Sequence, residues 1–95
     1  MPKAEFDGTT LAESARTERV EGNHYFPRES VRLELFTGSP TPYTCPWKGE
    51  AAYFNLSADG AELKDAAWSY PEPKEAAKEI AGHLAFDRSK GISVT

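Results

Sequence analysis

Cysteine is nearly absent from this chain: Cys45 is the only one among 95 residues. A single thiol cannot close an internal disulfide, so folding does not depend on an oxidising compartment. No apolar run approaches the roughly 20 residues of a membrane-spanning helix, and the opening "MPKAEFDG" has no signal-peptide core. The expected setting is therefore the cytoplasm, with no membrane partner. Basic charge is also in deficit, with 11 Lys and Arg against 15 Asp and Glu and a net charge of −4. No cationic stripe offsets that field, which argues against nucleic acid as a partner. No glycine-rich segment joins a strand to a helix, so a phosphate loop of the nucleotide-binding kind is missing. His24, Cys45 and His83 are widely separated, without the spacing of a metal site, and no metal or cofactor is expected.

The apolar fraction of 39% and the charged fraction of 27% are those of an ordinary globular protein. The length corresponds to a single domain over residues 1–95. Its first third reads as short strands broken by turns. "KAEFD" alternates, with Ala4 and Phe6 on one face, and Asp7-Gly8 is a hairpin signal before "TTLAES". "RTERVE" and "HYF" flank a second turn, placed at Gly22-Asn23, and "PRES" reads as a turn or a single turn of 3₁₀ helix. "VRLELF" has the clearest strand alternation, with Val31, Leu33 and Leu35 facing inward.

"TGSPTPYTCP" carries three prolines and a glycine in ten residues and reads as an ordered loop. "AAYFNL" then resumes as a strand, Asp59-Gly60 marks a hairpin, and "AAWSY" returns. One helix is expected, from Pro73 through "KEAAKEIA" to Gly82, with a narrow apolar face of Ala76, Ala77, Ile80 and Ala81. "HLAFD" and "ISV" read as a final strand pair around Lys90-Gly91. The pattern predicts a mostly β fold with one short α-helix, its small antiparallel sheet curled into a barrel or sandwich.

The residues that carry chemistry cluster at "CPWKG". Cys45 is a candidate nucleophile, but Pro46 and Gly49 forbid a good helix after it, which removes one common activator of a thiol. The plain alternative is a small buried thiol beside Trp47. Lys48, between Trp47 and Gly49, is placed to hold an anion beside an aromatic face, or to act as the second catalytic candidate. Against that stands the ordinary surface lysine. Tyr25, Phe26, Tyr43, Trp47, Tyr53, Trp68 and Tyr70 gather near strand ends and the proline-rich segment. Rings with a polar handle line pockets open to water at one end, although they also build cores.

"EGNHYFPRESV", "CPWKGEAAYF" and "AWSYPEP", followed by a short helix and "HLAF", resemble a family of small bacterial and fungal proteins of unknown function. A nucleotidyltransferase label is sometimes attached to that family. The resemblance covers about Phe6 to Val94 and implies a mostly β domain. Its signature positions fall on Tyr25, Phe26, Pro27, Cys45, Pro46, Trp47, Lys48, Gly49, Tyr53, Trp68, Tyr70 and Pro71. Nucleotidyl transfer relies on carboxylates that hold magnesium against a triphosphate, and this chain has no Asp-x-Asp pair beside a Gly-Ser turn.

Three functions are compatible with these residues, and the sequence does not decide whether the protein is an enzyme. The first is binding of a small anionic molecule by Tyr25, Cys45, Trp47, Lys48, Tyr53, Trp68 and Tyr70, with Lys48 at the pocket rim. The second is catalysis with Cys45 as nucleophile and Lys48 or a histidine assisting. The third is an interaction module with a purely structural core, pairing through a strand edge with a partner or a second copy as a homodimer.

Overall fold

Two tight turns organise the N-terminal part. The structure is a computed structural model that describes residues 1–58 and 60–95. Strands β1 (Lys3–Phe6) and β2 (Thr9–Glu13) pair antiparallel across Asp7-Gly8. Both turn residues have positive φ, as a type I′ turn demands. Ala4 and Phe6 are buried, as their alternation predicts. Strands β3 (Glu18–Val20) and β4 (Asn23–Tyr25) form the second hairpin. Its turn is Glu21-Gly22, one residue earlier than expected, because Asn23 pairs with Val20. Glu21 thus takes a left-handed backbone that asparagine adopts more readily, and its carboxylate is bound to Lys48.

"VRLELF" does not form the expected strand. Val31 makes only an isolated bridge to Ala12, Arg32 N donates to Leu11 O, and Leu33–Leu35 turns as 3₁₀ helix. Contact with β2 ends after these two residues, and the rest of the segment satisfies its backbone locally. The inward direction survives, since Val31 is buried and Leu33 and Leu35 pack on the core.

The expected loop is instead a strand. β5 (Phe36–Cys45) runs through both Pro40 and Pro42 and pairs with β6 (Gly49–Ala58). The ladder holds from Phe36 to Ser39 and again from Tyr43 to Cys45, with an irregularity between. β5 lies at the edge of its sheet, where proline lacks a donor only toward solvent. Between the two prolines, the Thr41 hydroxyl donates to Asp65 Oδ2 at 2.8 Å and ties the edge inward. β6 continues to β7 (Ala61–Ser69), with Ala58 opposite Ala61. The turn signal at Asp59 falls outside the described residues; Gly60 has positive φ.

The α-helix expected over residues 73–81 is a six-residue 3₁₀ segment, Glu75–Ile80, broken at Ala77 and without a side-chain cap. So short a segment gains little from α-helical propagation. The period of three suits its packing, because Ala77 and Ile80 are its two buried side chains. β8 (Leu84–Phe86) and β9 (Ser93–Val94) do not pair with each other. β8 joins β7, while β9 crosses to β1.

Among the described residues the sheets are therefore three: β2-β1-β9, β3-β4 and β5-β6-β7-β8. None closes on itself, which overturns the expected curling into a barrel or sandwich. The proline-bearing edge of β5 accepts no further strand, and the last strand goes to another sheet. What holds is a mostly β fold with a short helical segment. The core falls into two buried clusters, one around Phe26, Leu56, Leu84 and Phe86, the other around Tyr25, Cys45, Tyr70 and Ile80. Alternation along the strands feeds both, since Leu84 and Phe86 enter the first and Ala85 the second. Phe26 and Leu84 exchange two backbone hydrogen bonds, of 2.7 and 2.9 Å, where the clusters meet.

Candidate functional site

The five residues of "CPWKG" form a hairpin corner. Cys45 pairs with Gly49, leaving Pro46, Trp47 and Lys48 as a three-residue loop. Gly49 has φ +109, outside what side-chain-bearing residues readily adopt. The loop is held from outside by the segment after β7. Lys74 N donates to Lys48 O at 2.9 Å, and the Lys74 ammonium donates to Pro46 O at 2.8 Å. It is a stiff turn, and it sends one cation inward.

That cation is Lys48, only 5% exposed. Its ammonium lies 5.0 Å from the centre of the Trp47 ring and 5.5 Å from that of Tyr70, within cation–π range of both. It donates to Glu21 Oε1, 27 residues earlier in the chain and half exposed on the β3–β4 turn. Burial pulls the lysine's pKa down, but the Glu21 bond and the Tyr25 and Cys45 groups outweigh it, and the net shift is upward. The Lys48 bond draws the Glu21 carboxyl below its ordinary range, with burial opposing. Both groups are ionised at neutral pH.

The ion pair sits at one side of a cleft of about 210 Å³, lined by Glu21, Asn23, Tyr25, Tyr43, Lys48, Tyr53, Trp68, Tyr70 and Asp87. β6 supplies Tyr53 and β7 supplies Trp68, paired across the ladder, so both rings are delivered at one level of the sheet. Tyr25 comes from β4, edge-on to Trp68 with ring centres 6.4 Å apart. Trp68 Nε1 donates to the Tyr25 oxygen at 3.0 Å, which leaves the Tyr25 proton free to donate elsewhere. Burial raises the pKa of Tyr25, Tyr53 and Tyr70, so these phenols are protonated at neutral pH. The cleft thus presents hydroxyl donors and one ammonium on aromatic walls, with Glu21 and Asp87 as its acids.

Of the residues singled out from the sequence, Tyr25, Lys48, Tyr53, Trp68 and Tyr70 line the cleft. Trp47 is 39% exposed and covers the lysine from outside. Cys45 lies behind the cleft, buried with Tyr25, Tyr70 and Ile80. Burial pushes its thiol pKa up, yet the backbone amides of Trp47 and Lys48 and the lysine charge reverse this to a net downward shift. Glu21, Asn23 and Asp87 were not anticipated as site residues. No sequence signal links them to Lys48, because the turns that deliver them are remote in the chain. Tyr43 was legible as one ring among several. Among the described residues no three His, Cys, Asp or Glu side chains converge as metal ligands. His24 has its own partner in Thr17, and His83 in the Ala81 carbonyl.

Comparison with known families matches residues 2–94 to the one described as Domain of unknown function (DUF427). The chain belongs to the DUF427 family. The resemblance read from the sequence agrees with this as far as membership of a family without an assigned function. No curated protein matches the chain. In this DUF427 chain, then, the chemistry rests on the described residues alone: a buried aromatic cluster and a buried lysine in an ion pair.

Proposed function

We propose that the protein binds a small molecule through an anionic group, received by Lys48 and the tyrosine hydroxyls of the cleft. One observation carries this reading: Lys48 is buried and caged by two rings, while its counter-ion stands on an exposed turn. A buried ammonium must keep a negative partner. Glu21 supplies it and, being half exposed, is free to swing into water when a ligand carboxylate or phosphate takes its place. The tyrosine protons then donate to the remaining oxygens, and the ring faces hold the apolar part. A cleft of this size suits a ligand of a few heavy atoms beyond its charged group.

The test is a thermal-shift screen of small carboxylates and phosphates against the wild type, Lys48→Met and Glu21→Gln. Binding is expected to vanish in Lys48→Met. It is expected to tighten in Glu21→Gln, because the internal competitor has lost its charge. Anion binding that is weaker in Glu21→Gln, or unchanged in Lys48→Met, overturns the proposal.

A second reading uses Cys45 as a nucleophile, and the downward shift of its thiol favours it. Its burial behind the cleft weighs against it, since attack needs access as well as thiolate. Against pairing through a strand edge weighs the long edge strand β5, interrupted by Pro40 and Pro42.

A further inference from the structure

A second cleft lies on the other side of the β3–β4 turn. It encloses about 110 Å³ and is lined by Arg19, Gly22, Asn23, His24, Phe86, Arg88 and Val94. Arg19 comes from β3 and Arg88 from the turn after β8, so two separate elements place guanidinium groups on one small concavity. Among the described residues neither arginine takes part in an ion pair. That is notable in a chain of net charge −4. The two acids nearest them around the turns are engaged elsewhere. Glu21 is held by Lys48, and Asp87 Oδ1 accepts from Ser89 N at 2.9 Å and Ser89 Oγ at 2.6 Å. Glu18 neighbours Arg19 along β3, where successive side chains point to opposite faces.

We infer that the Arg19–Arg88 cleft binds a phosphoryl group, as free phosphate or as the terminal group of a phosphate ester. Guanidinium forks match the paired oxygens of phosphate, and two of them balance a dianion. The cleft, of about 110 Å³ and open to solvent, has room for a phosphoryl group whose remaining part stays outside. Gly22 adds a wall without a side chain, and Asn23 and His24 complete the lining beside the arginines. Burial, then Arg19 and Arg88, push His24 down, so at neutral pH the imidazole is uncharged and the arginines carry the charge. This site does not depend on the Lys48 cleft, although Asn23 lines both.

The experiment is a titration of the full chain, followed by amide resonances of Gly22, Asn23 and Arg88, with inorganic phosphate and with glycerol 3-phosphate at constant ionic strength. Saturable shifts are expected with both, and tighter binding of the ester assigns the site to phosphate esters. Arg19→Gln with Arg88→Gln is expected to weaken binding more than tenfold. Arg16→Gln is expected to leave it unchanged. Should the double variant not fold, Arg19→Lys and Arg88→Lys decide, since each keeps the charge but loses the fork and is expected to weaken binding severalfold. Shifts that never saturate, that chloride reproduces, or that survive the arginine substitutions overturn the inference. Shifts that move the Tyr53 and Tyr70 amides and leave Arg88 still place the anion in the other cleft and overturn it too.

Discussion

The ion pair of Lys48 and Glu21 makes stability depend on pH at both ends of the range. Glu21 is depressed below its ordinary 4.5 in the folded protein, so its contribution is present above that value and lost as pH falls through the folded pKa. Lys48 is raised above its ordinary 10.5, so its contribution is complete below that value and lost as pH rises through the folded pKa. Melting temperatures of wild type and Glu21→Gln, measured across pH, should differ by a constant amount between these limits and converge below the acidic one. A gap that persists in acid removes Glu21 as the partner. At Cys45 two effects compete, a thiol shifted toward thiolate and a burial that leaves it 5% exposed. Access is the stronger constraint, so maleimide should label Cys45 slowly in the native protein and rapidly once it is unfolded. Fast native labelling would shift the balance toward the nucleophile. Trp68 is only partly buried but braces Tyr25 and packs on the second cluster. Trp68→Ala is expected to cost about 3 kcal/mol, the low end for a large aromatic truncation, as read by denaturant unfolding.

Local pattern made some strands legible and hid others. Alternation at Ala4 and Phe6, and the Asp-Gly turn after them, specify the first hairpin within eleven residues. The segment from Phe36 to Cys45 was misleading because composition does not reveal whether a strand will lie at an edge, where proline is tolerated. "VRLELF" misled in the opposite direction, since alternation describes which side chains face inward and says nothing about whether a neighbour strand exists. The partners of β8 and β9 lie far away in the chain, and nothing within either segment names them. The candidate site divides the same way. Its rings and its lysine stand out in the sequence, whereas Glu21 and Asp87 reach it only through tertiary pairing. Two substitutions test these elements. Gly49→Ala meets only ordinary contacts, the nearest at 3.5 Å, so its cost of about 1–2 kcal/mol should come from backbone conformation alone. If Pro40 and Pro42 guard the edge of β5, replacing both with threonine should make the protein self-associate with rising concentration in size-exclusion chromatography. A double variant that stays at the wild-type elution volume removes that role.

The two buried clusters share β8 and the Phe26–Leu84 bridge, so the assembly is expected to unfold in one cooperative transition, with tryptophan fluorescence and far-ultraviolet circular dichroism melting together. Separate midpoints would mean that the second cluster, with Trp68 packed against it, melts by itself. The same dichroism should show β structure without an α-helical signature, because the helical segments described are all short 3₁₀ turns. The outermost pairing has a different kind of consequence. Lys3 and Thr95 exchange backbone hydrogen bonds of 3.1 and 2.9 Å, so the two ends of the described chain lie side by side in one sheet. In topological language, that seam brings the first strand and the last into neighbouring places. Within the described residues, a short peptide leading from Thr95 to Met1, with a fresh opening cut at Asp7-Gly8, would redraw the order of the strands along the chain and leave their order in space untouched.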